Sequence, residues 1–158
     1  MKRSVYIKPY FFGVIVDIVL LLLKYYLNFD YTSNGMSSAL DSIVGFLSII
    51  IGFYTAFYGI IISEMKSSLM KKLMDSKDKD ELPKLLKRCI GYSFFSLILT
   101  IIFQLLIYYK NRIVLLFYFL WAFILVVCIT YAYIVAQLSI FLIFYGEKKP
   151  KKKKKFDN

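Results

Sequence analysis

From Ile113 to Tyr145 the chain runs through 33 consecutive residues without one Asp, Glu, Lys or Arg. As a single helix that run is about 50 Å long, against a hydrocarbon core of about 30 Å in a bilayer. A small soluble domain has no means of burying every side of such a helix, so the run points to a fold whose solvent is lipid. Three further apolar runs precede it. The 158 residues are 59% hydrophobic and 19% aromatic, and these runs account for the excess over a soluble domain. The sequence therefore predicts an all-α integral membrane protein: a four-helix bundle forming one domain over residues 1–146. Its spans fall at about 10–29, 40–63, 89–109 and 113–137. The last continues as helix to about 145, where the excess length is taken up by tilt or by projection beyond the bilayer.

The connections carry turn and cap chemistry. Pro9 suits the first turn of span 1. The charged start and apolar middle of that span imitate a signal peptide. Lys24-Tyr25-Tyr26 stands where a small-residue cleavage site would be needed, so it reads as a retained span. Asn34-Gly35 marks a turn, with Ser37 or Ser38 as cap and Asp41 in the first turn of span 2. Between spans 2 and 3 the apolar character stops while a four-residue rhythm continues through Met65, Leu69 and Leu73, then Leu82, Leu85, Leu86, Cys89 and Ile90. This predicts a cytoplasmic helical hairpin over 64–88, turning at Asp75 to Asp80. Lys110-Asn111-Arg112 is a tight turn, and Gly146 ends the last helix.

Positive charge sets the orientation. Three Lys or Arg precede span 1, eight lie in the hairpin and seven follow Gly146, so 18 of the 21 fall on one side. The positive-inside bias then predicts that both termini are cytoplasmic, in a multi-pass protein of the plasma (inner) membrane. Tyr6, Tyr10, Tyr92 and Tyr145 near one boundary, and Tyr25, Tyr26, Tyr108, Tyr109 and Trp121 toward the other, fit an interfacial belt.

Span 2 holds the most ordered pattern. Gly45, Gly52 and Gly59 recur every seven residues, with Ser48, Thr55 and Ala56 between them. All lie on one helix face, a narrow ridge nearly free of large side chains. Between helices in lipid, contact comes from close backbone approach at small residues and from a few hydrogen bonds. This predicts Gly45, Ser48, Gly52, Ala56 and Gly59 as a helix-packing or oligomer interface, with span 2 as the packing hub.

Asp17 is a carboxylate about 12 Å inside span 1, where an ionised group costs several kcal/mol unless bonded, paired or protonated. Gly13, Asp17, Lys24 and Asn28 share a face. Counting inward along the other spans places Thr55, Ser96, Thr100 and Thr130 or Tyr131 at the same depth, with Gln104 and Ser48 at the level of Lys24. Asp17, Thr55, Ser96, Thr100 and Gln104 thus form a candidate ion or polar site. The competing reading is a structural clasp that keeps four helices in register. Lys24 can also reach outward toward Asp30 or Asp41.

Histidine is absent, which removes the commonest general base and metal ligand. Cys89 and Cys128 lie on different spans without a C-x-x-C and read as packing thiols. No catalytic, nucleotide or metal motif occurs, so no enzyme, cofactor or metal is expected. Lys148, Lys149, Lys151, Lys152, Lys153, Lys154 and Lys155 form a basic tail over 147–158, expected to be disordered by itself. Such a tail suits contact with anionic headgroups or a soluble partner, without features for specific nucleic-acid binding. In layout only, the chain is similar to small membrane effectors of bacterial conflict systems. The leading expectation is a homo-oligomeric pore or membrane-perturbing effector. The alternatives are a non-conducting anchor or regulator binding a soluble cytoplasmic protein through the hairpin, and a small dimeric transporter.

Overall fold

A computed structural model of the chain describes residues 4–29, 31–63 and 81–145. Among them are four α-helices and no strand: α1 Ser4–Leu27, α2 Met36–Ser63, α3 Glu81–Leu106 and α4 Arg112–Tyr145. Each contains a stretch long and apolar enough to cross a membrane, namely Ile7–Leu27, Met36–Gly59, Lys84–Leu106 and Arg112–Ile140. Residues 64–80, which hold most of the expected hairpin, lie outside the described residues. So do Gly146 and the whole basic tail, and the contact expected of Lys148, Lys149, Lys151, Lys152, Lys153, Lys154 and Lys155 falls there with them.

Local chemistry explains where the helices stop and start. α1 ends as Asn28 takes the left-handed conformation (φ 50°), which Asn adopts more readily than most residues. The Phe29 amide then donates back to the Leu23 carbonyl, 3.4 Å away. Entry into α2 comes earlier than the expected serine caps. Gly35 turns the chain at φ 89°, its carbonyl accepts from the Ala39 amide at 3.0 Å, and Met36 N–H donates to the Ser33 carbonyl. A residue with no Cβ makes that corner without strain, so the helix starts one turn before Leu40. At the head of α4, Asn111 is the cap: its Oδ1 accepts from the Ile113 amide at 3.4 Å, and its carbonyl accepts from the Leu115 amide at 3.1 Å.

Packing places α4 at the centre. It lies against both α1 and α3, and α2 packs on α3. Burial follows the same order: 44% of the α4 apolar window is buried, against 28% for α2 and 6% for α1. The hub is therefore α4, a correction to the role expected for span 2. The reason is volume. Along the antiparallel α3–α4 seam large rings interlock, with Phe103 stacked on Trp121 (centroids 4.9 Å apart) and on Tyr118 (5.8 Å). A helix whose small side chains lie on one face has less to bury there.

Two side chains of this ring cluster also tie the bundle together by hydrogen bonds. The indole N–H of Trp121 donates to Thr100 Oγ1 at 2.9 Å, and Trp121 is only 5% exposed. It belongs to the core and not to the interfacial belt where the sequence put it. A Trp is equally at home in either place, provided its N–H finds a partner. Tyr31, buried in the first connection, donates to the Tyr109 carbonyl at 3.3 Å and so pins that connection to the α3–α4 turn. α1 comes close to α4 at Gly13, where a Cβ would stand 2.7 Å from Cδ2 and Cε2 of Phe123.

Candidate functional site

The predicted site residues separate into three places. Asp17 lies on the face of α1 that carries Gly13 and Leu20, and both of these pack toward α4. Its Oδ1 is buried without a hydrogen-bond partner. Thr55 stands exposed on α2 and donates to its own Ile51 carbonyl at 2.9 Å. It is not brought to Asp17. Thr130 likewise donates to its own helix, at the Val126 carbonyl.

Ser93, Ser96 and Thr100 are fully buried on one stripe of α3. Ser93 donates to the Cys89 carbonyl at 2.8 Å, and Thr100 donates to the Ser96 carbonyl at 2.7 Å while accepting from Trp121. Ser96 Oγ is buried and has no partner. These hydroxyls line the packed α3–α4 seam. Gln104, one turn further along, donates to Asp41 Oδ1 at 2.7 Å and joins α3 to α2 at the end of the bundle where α2 begins. Asp41, the expected partner of Lys24, is thus engaged by Gln104, and Asp30 is not among the described residues.

The ridge of α2 faces away from its own bundle. The buried stripe of α2 runs through Leu40, Leu47, Ile50, Tyr54 and Phe57. At 3.6 residues per turn, Gly45, Ser48, Gly52, Thr55, Ala56 and Gly59 fall on the opposite side, and every one of them is exposed. A Cβ built at Gly45, Gly52 or Gly59 meets nothing within 4 Å. Ser48 and Thr55 turn their hydroxyls back to the carbonyls of Val44 and Ile51, at 2.8 and 2.9 Å. Their polar groups are satisfied within the helix, so the face is smooth, small and free of unmet hydrogen bonds. Helices in lipid approach one another closely over such a surface.

Sequence reasoning missed a further place, a knot of tyrosines and thiols toward the opposite end of the bundle. Tyr10 of α1 and Tyr92 of α3 share a hydroxyl–hydroxyl hydrogen bond of 2.8 Å. Tyr131 of α4 lies fully buried beneath them, stacked on Tyr92 with centroids 5.4 Å apart and edge-on to Tyr10 at 6.5 Å. The Cys89 thiol donates to the Tyr131 carbonyl at 3.6 Å, and Ser93 Oγ lies 3.5 Å from Cys128 Sγ. Both cysteines are free and buried. The hydroxyls of Tyr54 and Tyr131 are buried without partners. Only the equal spacing of Cys89 and Tyr92 on α3 with Cys128 and Tyr131 on α4, three residues in each case, could have signalled the knot, and that requires the antiparallel register.

Among the described residues, no group of three or more His, Cys, Asp or Glu side chains could hold a metal ion. Compared with protein-family models, curated proteins and solved structures, the chain matches none.

Proposed function

We propose that this chain is a multi-pass membrane protein whose copies associate through the outward ridge of α2, and that the assembly conducts ions or perturbs the bilayer. The observation that carries the reading is the direction of the ridge. Three glycines at seven-residue steps, with hydroxyls satisfied by their own helix, lie opposite the buried stripe and touch nothing in their own chain. A spacing of 3.5 residues keeps such a face in register with a second helix over several turns, as in left-handed helix pairs. Among the described residues, Phe103, Tyr118, Trp121 and Tyr131 fill the interior of the single bundle. An opening between copies is the arrangement that fits.

In this reading both termini and the 64–88 hairpin are cytoplasmic, by the bias of Lys and Arg. The tail adds attraction to anionic headgroups of about 1 kcal/mol per residue near the surface. The test is current through planar bilayers containing the purified full chain, alongside Gly52→Leu. Discrete conductance that Gly52→Leu removes, with the monomer still helical and folded, supports an assembled pore. A silent wild-type protein, inserted and oligomeric, favours the non-conducting anchor.

A further inference from the structure

The end of the bundle where α1 begins carries a second feature, distinct from the α2 ridge. α1 and α3 both lie on α4 without a packed seam of their own, and they meet through the Tyr10–Tyr92 hydroxyl pair. Arg88 stands one turn before Tyr92 on the same stripe of α3, close enough to act electrostatically on the hydroxyls of Tyr92 and Tyr131. Lys84 continues that stripe a turn further out. The side chains described at this end include four bases, Lys8, Lys84, Lys87 and Arg88, all exposed, and no acid. In the other direction the surface becomes apolar at once. The Tyr10 stripe continues as exposed Val14 and Leu21, and the Tyr92 stripe as exposed Phe95 and Ile102. Asp17 lies about 10 Å deeper than Tyr10, at the level of the apolar stretch.

We propose that the cleft between α1 and α3 binds one anionic phospholipid, with its phosphate on Arg88, Tyr10 and Tyr92 and an acyl chain lying over Val14, Leu21, Phe95 and Ile102. Charge complementarity selects this occupant. A guanidinium offers a fixed fork of donors that matches phosphate oxygens, and a hydrogen bond to an ionised oxygen is about twice as strong as one between neutral groups. Each tyrosine hydroxyl can give up its bond to the other and donate to the phosphate instead, so no donor is stranded. Tyr131, fully buried under the pair and in ring contact with both, supplies a rigid aromatic floor. The site rests on the helices being in a bilayer, but not on assembly or conduction.

The test uses the full chain reconstituted in mixed phosphatidylglycerol and phosphatidylcholine, with insertion checked by vesicle flotation. The protein is then released into mild detergent, and retained lipid is measured by mass spectrometry. Wild type should retain phosphatidylglycerol in preference to phosphatidylcholine, near one per chain. Arg88→Gln should lower that preference about fivefold, the loss expected for one cation near a headgroup. The pair Tyr10→Phe and Tyr92→Phe, which keeps every ring, should also lower it. Deleting Lys148 to Lys155 should leave the retained lipid in place. Wild-type retention in both Arg88→Gln and the tyrosine pair would overturn the site, and so would loss of retention in the tail deletion alone. Protein that fails to float counts against the membrane reading itself and is separable from these outcomes.

Discussion

Gly13 of α1 and Phe123 of α4 are so close that a single added methyl group would stand 2.7 Å from the ring. No other described glycine shows such an approach: around Gly45, Gly52, Gly59 and Gly91 there is open space. α1 buries only 6% of its apolar window, and its packed seam is with α4.

Substitution at that contact should therefore loosen α1. Gly13→Val forces the Phe123 ring or the helix to move, and overpacking of this kind costs about 1–3 kcal/mol. Gly91→Val, exposed on α3 with nothing within 4 Å and away from the α2 ridge, serves as the matched control. Denaturation of the two variants in mild detergent should show Gly13→Val destabilised and Gly91→Val near wild type. Equal stabilities would mean that α1 is held elsewhere.

The Trp121–Thr100 bond offers a second check on the seam between α3 and α4. Trp121→Phe keeps the ring stack on Phe103 but removes the indole N–H, leaving Thr100 with only its back-bond to Ser96. Hydrogen bonds measured between helices in membranes average about 0.6 kcal/mol and reach about 1.7 kcal/mol. A double-mutant cycle with Thr100→Val should return a coupling in that range. A coupling of zero would show that the indole N–H does not bond Thr100 in the folded chain.

The placement of the apolar helices could be read from the chain because length and hydropathy alone define an apolar helix. The direction in which each helix faces could not. A seven-residue glycine repeat specifies a face but says nothing about whether the partner is another helix of the same chain. Gly45, Gly52 and Gly59 were legible as a ridge, and illegible as an outward one. Trp121 failed for a related reason: its residue type suits a belt and a core alike, and only the register with Thr100 decides. Asp17 and the hydroxyls of α3 share a depth in the sequence, yet α1 packs on α4 and the α3 hydroxyls turn into the α3–α4 seam. Depth along a helix is one coordinate of three.

Asp17 separates two roles for α1. Its buried Oδ1 has no partner within the chain. If the carboxylate serves an ion path in the assembly, Asp17→Asn should reduce cation selectivity or conductance at unchanged stability. Asp17→Leu should do the same. If it is only a polar contact of α1, Asn should preserve function, and any loss in Leu should follow stability, with a change of about 1 kcal/mol. Paired conductance and unfolding measurements distinguish these.

Orientation is checked independently. Reporter fusions after Gly35 and Asn111 should behave as external, and fusions after Asp75 and Asn158 as internal. An external reporter at Asp75 would reverse the placement of eight positive charges and contradict the proposed topology.

Cysteine cross-linking of the full chain in lipid vesicles, one α2 position at a time, tests association through the ridge. Ser48 and Thr55 lie on the ridge; Phe46 and Phe53 are also exposed but lie off it, on another side of the helix. The two native thiols are buried, so a new surface cysteine reports on its own position. Association through the ridge predicts strong dimer cross-linking for Ser48→Cys and Thr55→Cys, and little for Phe46→Cys and Phe53→Cys. Cross-linking that is equal at all four positions, or confined to the phenylalanine pair, would contradict it.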